Sequence, residues 1–397
     1  GASVFPAPLT MAAGWNTELV RQLHSAIAKA IRACGANVAL GPVVDMYTDP
    51  RYSRYPEAFS PSPTLASQLV AATVAGLQGK IHSNVTSYLP SHTSAVLSVG
   101  QYLVGVSAGA KSIASERRLR DVHMRTWRAF ANAGGRGAML SPQKVLEVPN
   151  HANPWLVKLV FRRDLGVEDA LVVSHCGGIH GLIDYHMAPT PTAAAADALR
   201  GGVDVDLQCG DEEKYTEYDH AHVKAALAGG LLDDETLDDA TLHVLVSKLS
   251  SGLFEHPFTD DSLAATAFDT ADNRKLARRA AIESIVLLKN DKATLPLRGT
   301  LKLLDRRPCP SLPLPVVSTP EMPTDSEARG VSGCLCPPPR HSNDSLVSTD
   351  TNSSDNNTNA SSCPSCPSPL ASFNLSNASN GTFSPVAPPW SPLPPLP

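Results

Sequence analysis

The sequence has little charge, few aromatic residues and few cysteines. Charged side chains make up 18% of the 397 residues and the formal net charge is -5, so nothing favours nucleic acid as a partner. No apolar run approaches the roughly 20 residues of a membrane-spanning helix, so we expect no membrane partner either. Eight cysteines, three of them before residue 300 (Cys34, Cys176 and Cys209), are too sparse for a disulfide framework.

Signals for cellular location are also limited. No basic-then-apolar leader opens the chain, and because residue 1 is Gly rather than Met, a leader could have been removed or never included. Asn-x-Ser/Thr triplets occur at Asn84 and at seven positions from Asn343 to Asn380. This cluster favours a secreted, extracellular protein, although Ser- and Asn-rich sequence also produces such triplets by chance.

Proline divides the chain into two parts. Of 34 prolines, 19 follow residue 300, and from there Pro, Ser, Thr and Asn dominate. Such a segment buries too little apolar surface to offset its chain entropy. We therefore predict a globular part up to about residue 298 and a disordered tail over residues 299–397.

Helical and strand patterns alternate in the globular part. Leucine and isoleucine recur every fourth position between Asn16, a candidate N-cap, and Gly35, which predicts a helix over Thr17–Ala33. The apolar run Ala36–Val44 then predicts a strand buried on both faces. The first ten residues are expected to be extended. Repeated units of this kind predict an α/β fold, a (β/α)8 TIM-type barrel that could lack its first strand.

The predicted domain boundaries follow from where this alternation stops. The barrel is assigned to residues 1–253, a linker to 254–270, and the start of a truncated second α/β sandwich domain to 271–298. Within the barrel, the strand in Leu171-Val-Val-Ser-His-Cys-Gly-Gly-Ile179 runs into a glycine-containing turn. Residue 175 then lies at the carboxyl end of its strand, where barrel enzymes place their chemistry.

Five stretches, taken in order, resemble glycoside hydrolase family 3, in particular its β-xylosidase/β-glucosidase members. Gly1-Ala-Ser-Val-Phe-Pro6 is similar to the family's G-A-T-x-F-P entry, and residues 42–59 are similar to its P-V-x-D-x-x-x-D-P-R-W-G-R-x-x-E-x-F segment. Val148-Pro-Asn-His-Ala-Asn-Pro-Trp155 matches V-P-x-x-A-N-x-x, and residues 172–179 match V-V-S-D-C-G-A-I. Ser284-Ile-Val-Leu-Leu-Lys-Asn290 with Leu295-Pro-Leu297 resembles the opening of the second domain.

The resemblance implies an exo-acting, retaining β-glycosidase that needs no cofactor and no metal. Such an enzyme uses two carboxyl groups, one as nucleophile and one as acid and base. In the family the barrel supplies the nucleophilic Asp and the second domain supplies the acid. An Arg, a Lys-His pair and a neighbouring polar group hold the sugar hydroxyls.

Carried over by position, this machinery is incomplete. Arg54 matches the sugar-binding Arg, and Glu57 matches the acidic residue of the same loop. The Lys-His pair falls on Gly100 and Gln101, and the Ser-Tyr-Asn triplet of the next strand becomes Ser141-Pro142-Gln143. The second-domain acid has no counterpart because the chain departs from the family after about residue 300, and the Asp expected before the G-A-T-x-F-P entry is missing.

The nucleophilic Asp becomes His175. A neutral imidazole attacking the sugar would give a cationic adduct, and it offers no negative charge to an oxocarbenium-like transition state. The substitutions together predict an inactive barrel. Alternatives for this region are a general base or metal ligand at His175, a thiol nucleophile at Cys176, and metal sites formed by His180, Asp184 and His186 or by His220 and His222.

Three hypotheses for the whole chain remain open. The first is a family 3 pseudoenzyme that retains, at most, binding of β-linked xylo- or gluco-oligosaccharides through Arg54, Glu57, Gln101 and Gln143. The second is an active β-xylosidase or β-glucosidase whose active residues are misaligned here. The third is a faulty gene model with a wrongly translated tail.

Overall fold

A parallel β-sheet forms the centre of the molecule. The computed structural model describes residues 3–79, 94–105, 115–207, 220–260 and 262–296, all within a unit that extends from Gly1 to Leu303. The sheet has the strand order β1-β2-β3-β6, and Val173 also forms an isolated parallel bridge with Val205. The strands are β1 (Val38–Val43), β2 (Leu97–Leu103), β3 (Gly137–Leu140) and β6 (Leu171–Val173), and β4 (Lys144–Val145) and β5 (Val148–Pro149) form a separate antiparallel hairpin.

Helices follow the strands, as an α/β fold requires. The segment before α4 begins with a single turn at Glu116–Arg118 and continues with π winding over Leu119–His123. The helices are α1 (Pro8–Ala13), α2 (Thr17–Ala33), α3 (Pro63–Gln78), α4 (Met124–Asn132), α5 (Trp155–Arg163, π-wound), α6 (Gly181–Asp184), α7 (Pro191–Gly201), α8 (His220–Ala228), α9 (Asp234–Ser250), α10 (Leu263–Ala267) and α11 (Ala271–Glu283).

The α/β class is therefore confirmed, whereas closure into an eight-stranded barrel stays a prediction. Within the described residues the sheet has four strands and one bridge. No helix in this part of the chain combines the length and the apolar character needed to span a bilayer.

The helix signals in the sequence are reproduced locally. Asn16 caps α2 by accepting a hydrogen bond from the Leu19 backbone amide over 2.9 Å, and the apolar face that contains Leu19 and Leu23 is buried. The expectation that the first ten residues are extended is wrong at its end, because α1 begins at Pro8. Proline suits the first turn of a helix, where its missing N–H would have no partner.

The two faces of the sheet pack against different groups of side chains. Val43, Leu97, Val99, Met139 and Val173 cluster on the inner face. The outer face packs under the helices, where the Trp127 ring of α4 contacts Phe130 and Phe161 edge to face at 5.4 and 5.5 Å. Each such contact adds about 0.5–1.5 kcal/mol to area burial. The sheet is therefore anchored to its helices mainly on the outer side.

The prediction that β1 is buried on both faces is wrong for the first part of the strand. Val38 and Leu40 remain 39% and 42% exposed. They pair with Leu97 and Val99, whose side chains lie on the inner face. Because β1 is the edge strand of the described sheet, no neighbouring strand covers these two residues.

A buried charge cluster ties α5 and α9 to the strand β6. Arg162 donates to Asp204 over 2.6 Å and to the carbonyl of Ala170 over 2.9 Å. The same carboxylate accepts from the Val172 amide over 2.7 Å and lies 2.9 Å from Nδ1 of His243. A charge pair this buried is costly to disrupt, since removal of one partner leaves the other unpaired in a low-dielectric interior.

The segment that follows α9 packs back onto the first helices. The predicted linker contains α10, which contacts α2, and α11 contacts both α1 and α2. Asn16 donates to Glu283 at the end of α11 over 2.8 Å. The apolar run Ile285–Leu288 is exposed. The domain boundaries stay predictions, and the predicted tail lies outside the described residues.

Candidate active site

Three chain segments meet at the carboxyl edge of the sheet. The loop after β1 carries Arg54 and Glu57, Tyr102 is the penultimate residue of β2, and β6 leads into the turn that carries His175. The ring centroids of Tyr102 and His175 lie 5.9 Å apart, and Arg54 Cζ lies 5.3 Å from the Tyr102 ring centroid. Residues distant in sequence therefore converge at the edge where α/β proteins bind ligands.

Arg54 and Glu57 form an ion pair within a short 3₁₀ turn. Arg54 Nε donates to Glu57 Oε1 over 2.8 Å, and both side chains are partly exposed. The hydrogen bond that Arg54 donates to Glu57 raises the pKa of Arg54. Asp49 pairs instead with Arg51 over 2.7 Å, so of the two carboxylates near Arg54 in sequence only Glu57 bonds it.

Tyr102 is a buried aromatic ring on a left-handed backbone. Its φ is +63° and only 2% of its surface is exposed. A positive φ in a bulky residue costs of order 1–3 kcal/mol and persists only where the surroundings hold it. Burial raises the pKa of the phenol, against a lowering influence of Arg54, so the ring is neutral at physiological pH.

Three buried polar side chains hold the backbone that follows Tyr102. Asn150 Nδ2 donates to the carbonyls of Leu103 and Val104 over 3.2 and 3.0 Å. Ser141 Oγ donates to the Val104 carbonyl over 2.6 Å. Asp45 Oδ2 accepts from the amide of Gly105 over 2.9 Å, and Val104 and Gly105 also have positive φ, +44° and +110°. The left-handed path of this segment is thus fixed by side chains from three other segments.

The buried carboxylate of Asp45 has a structural role rather than a catalytic one. Its Oδ1 lies 2.7 Å from Nδ1 of His123, and both side chains are almost fully buried. The same oxygen accepts from the amide of Met46 over 2.9 Å. This carboxylate is saturated by hydrogen bonds within the fold.

His175 is half-buried, and its backbone and ring are both engaged. Its amide donates to Nε2 of His151 over 2.9 Å, and its ring Nδ1 lies 3.0 Å from the carbonyl of Cys176. A carbonyl only accepts, so Nδ1 carries the proton and Nε2 keeps the lone pair. Burial lowers the pKa of His175, and the positive charge of Arg54 lowers it further. The group at the nucleophile position is therefore a neutral imidazole.

His151 lies buried beneath this turn. Its Nε2 accepts the His175 amide, and a Cβ added to Gly178 would lie 2.1 Å from the same nitrogen. Burial, with a smaller contribution from His175, lowers the pKa of His151 to about 3. The neutral His151 ring thus holds the turn by accepting the hydrogen bond of the His175 amide.

The positions that correspond to the Lys-His pair and to the polar residue of the next strand lie at three different places. These positions are Gly100, Gln101 and Gln143. Gln101 pairs with Val43 of β1 and is half-buried on the inner side of the sheet. Gly100 faces outward, because an added Cβ would lie 2.7 Å from Val44 and 2.9 Å from Trp127. Gln143 packs beside Gly105, where an added Cβ would lie 3.0 Å from the Gln143 Cβ. Of the predicted site residues, Arg54 and His175 lie beside the Tyr102 ring, and Glu57 is bonded to Arg54.

The alternative nucleophile at this turn is excluded by its chemistry. Cys176 is disulfide-bonded and has no free thiol, so it cannot act as a nucleophile.

The alternative metal sites find no support. Nε2 of His180 lies 3.7 Å from Oδ1 of the exposed Asp184, and His222 lies 3.0 Å from Thr192 Oγ1. Across the described residues no three His, Cys, Asp or Glu side chains are grouped as a metal site.

Sequence reasoning missed Tyr102 and His151. Tyr102 directly follows the positions matched to the Lys-His pair, so its aromatic character was visible there, but its inward direction depends on a register shift between Gly100 and Leu103. His151 lies within the quoted Val148–Trp155 stretch. Its contact with residue 175 spans 24 positions and has no local signal.

The fold resembles that of solved glycosidases. It aligns over 75% of its length with a β-glucosidase of Erythrobacter marinus, with a TM-score of 0.69 and 30% identity, covering 38% of that chain. A β-glucosidase of Listeria innocua in complex with gluconolactone aligns with a TM-score of 0.68 and 29% identity, with 75% of this chain and 40% of that chain covered.

Sequence comparison then identifies the family. Residues 1–246 match the model described as "Glycosyl hydrolase family 3 N terminal domain", so the chain belongs to glycosyl hydrolase family 3. A beta-xylosidase of Formosa agariphila is 30% identical over 304 residues, which cover 74% of this chain and 41% of the relative. A periplasmic beta-glucosidase of Salmonella typhimurium is 31% identical over 311 residues, covering 76% and 39%. The chain thus spans about two fifths of the length of these relatives.

Proposed function

We propose that this family 3 member is a pseudoenzyme of the β-xylosidase/β-glucosidase type, with no hydrolytic turnover of its own. One observation carries the proposal. The residue at the carboxyl end of β6, where the resemblance expects an aspartate nucleophile, is His175, a half-buried imidazole whose pKa is lowered by burial. A neutral ring cannot balance the positive charge that develops on the sugar during glycosidic cleavage.

Among the described residues, the carboxylates near this edge are engaged in other contacts, which supports the proposal. Glu57 is bonded to Arg54, and Asp45 is buried against His123. Asp206 accepts from Ser174 Oγ over 2.5 Å, whereas Val205 and Leu207 on either side of it contact the inner cluster. Side chains alternate along an extended segment, so the Asp206 carboxylate faces away from the inner side of the sheet.

An active β-xylosidase or β-glucosidase is the second candidate. The names of the relatives from Formosa agariphila and Salmonella typhimurium favour it. It requires a carboxylate outside the described residues to act as nucleophile, and a second one to act as acid.

Hydrolysis of an aryl β-xyloside and an aryl β-glucoside separates the two candidates. We expect the full chain to release aryl alcohol no faster than its His175→Ala variant does. We also expect His175→Asp to give little rescue, because the acid and the Lys-His pair have no counterparts. Turnover by the wild type above the rate of a protein-free control would refute the pseudoenzyme proposal, whether or not His175→Ala abolishes it.

Binding and location are further parts of the proposal. Any remaining ligand is a β-linked xylo- or gluco-oligosaccharide contacted through Arg54, as the resemblance implies. A secreted location is supported by the Asn-x-Ser/Thr triplets. Expression in a secretory host followed by enzymatic deglycosylation tests it, and an unchanged mass would contradict it.

A further inference from the structure

We propose that the Tyr102 side chain occupies the place of a sugar ring at the carboxyl edge of the sheet, so that the chain carries an internal occupant of its own site. This inference rests on the proposed loss of turnover and adds a physical reason for weak binding of a sugar. The ligand that the ring replaces is a neutral pyranose.

The first support is the position of the ring. Arg54, matched to the sugar-binding Arg, lies 5.3 Å from the ring centroid. The imidazole of His175, at the nucleophile position, is centred 5.9 Å away. A group held between these two residues lies where a substrate would contact both. A phenol and a pyranose both have a six-membered ring with an attached hydroxyl, and the flat aromatic ring fills a volume similar to that of the puckered sugar ring.

The second support is that the backbone fixes the ring in this place. Tyr102 contacts the inner cluster although it follows Gln101, which lies on the same side, and two successive residues can share a side only where the pleat is interrupted. The interruption is the register shift between Gly100 and Leu103, together with the positive φ of Tyr102. Asn150, Ser141 and Asp45 then hold the segment that follows.

The third support is an unsatisfied hydroxyl beside the ring. The hydroxyl of Tyr47 is buried and has no hydrogen-bond partner among the described residues. Its ring packs edge to face on Tyr52 at 5.2 Å, and Tyr47 and Tyr102 belong to the same buried cluster. Buried hydroxyls are nearly always paired, and a sugar hydroxyl in place of the Tyr102 ring would supply a partner.

Removal of the ring tests the proposal. Titration calorimetry with xylose and with glucose would compare the full-length wild type with Tyr102→Gly, Tyr102→Ala and Tyr102→Phe. Glycine suits the positive φ, and phenylalanine keeps the ring as a matched control. We expect Tyr102→Gly and Tyr102→Ala to bind one of the sugars at least about tenfold more tightly than the wild type, and Tyr102→Phe to match the wild type. Folded Gly and Ala variants with unchanged affinity would overturn the proposal.

A measurement on the wild type decides the question if those variants do not fold. Nitration by tetranitromethane, mapped by mass spectrometry, should modify Tyr185, which is 42% exposed, much faster than Tyr102. Added xylose should either fail to bind or increase nitration of Tyr102 by displacing it. Tyr102 that reacts as fast as Tyr185, or bound xylose with Tyr102 still protected, would overturn the internal occupant.

The aryl β-xyloside assay distinguishes failure of this inference from failure of the proposed function. If Tyr102→Gly gained both turnover and sugar binding, the proposed lack of catalytic activity would be refuted. The proposal that Tyr102 occupies the sugar site would be supported. No gain in binding and no turnover would refute the internal occupant alone. Wild-type turnover would refute both.

Discussion

Protonation of His151 should destabilise the turn that carries His175. Nε2 of His151 accepts the His175 amide, so a proton on that nitrogen would place two donors against each other. The ring is fully buried, and its pKa is lowered from 6.5 to about 3, mainly by burial. The folded state therefore requires the neutral form.

The direction of the pH effect follows from proton uptake. Above about pH 6.5 the ring is neutral in both states, and its contribution to stability is complete. Below that pH the unfolded chain takes up a proton that the folded chain refuses, so stability falls by about 1.4 kcal/mol per pH unit. His151 alone then removes roughly 3–5 kcal/mol between about pH 6.5 and pH 3.

A second buried histidine, His24, also makes the stability of the protein depend on pH. Burial lowers the pKa of His24 to about 4, although its hydrogen bond to the Val20 carbonyl opposes the shift. Both rings therefore contribute between about pH 6.5 and pH 4, with a combined slope near 2.7 kcal/mol per pH unit. This loss is large relative to the free energy of unfolding of a typical protein, which is about 5–15 kcal/mol.

His151→Gln is the matched variant, because its side-chain oxygen can accept the His175 amide without titrating. Urea unfolding would be followed by tryptophan fluorescence from about pH 7.5 down to about pH 4.5. We expect the slope of unfolding free energy against pH, below about pH 6.5, to be lower than the wild-type slope by about 1.4 kcal/mol per pH unit. Equal slopes in the two proteins would show that His151 is not held neutral.

Two further predictions concern packing. Asp204→Ala should lower the free energy of unfolding by about 3–5 kcal/mol, because it leaves its buried arginine partner unpaired. The exposed Asp269, which pairs at the surface, serves as control, and Asp269→Ala should lower the free energy of unfolding much less than Asp204→Ala does; similar losses would contradict the role of burial. Gly100→Ala should cost about 1–3 kcal/mol through overpacking, since its Cβ would lie 2.7 Å from Val44. Gly181→Ala has open space and should be neutral by the same urea measurement, so equal effects of the two substitutions would refute the argument.

The sequence predicts those parts of the fold that depend on neighbouring residues. The cap and apolar period of α2 are local, and the structure confirms them. The short apolar strand before His175 is likewise formed as expected. Position 175 could be assigned because strand and turn signals are adjacent in the chain.

The rest of the site depends on contacts that the sequence does not display. The inward turn of Tyr102 depends on Asn150, which is 48 positions away, and on Asp45. The exposure of Val38 depends on which strands lie beside β1. Long-range contacts of this kind have no periodic pattern, so neither residue could be placed from composition or spacing.

The left-handed segment from Tyr102 to Gly105 bears on how reversible the loss of catalysis is. A missing nucleophile is a difference in one side chain and can be reversed by a single substitution. A backbone path fixed by Asn150, Ser141 and Asp45 is a property of several segments together. Before the side chain at position 102 could point away from the inner side, the strand would have to recover a regular pleat, and that change needs coordinated substitutions.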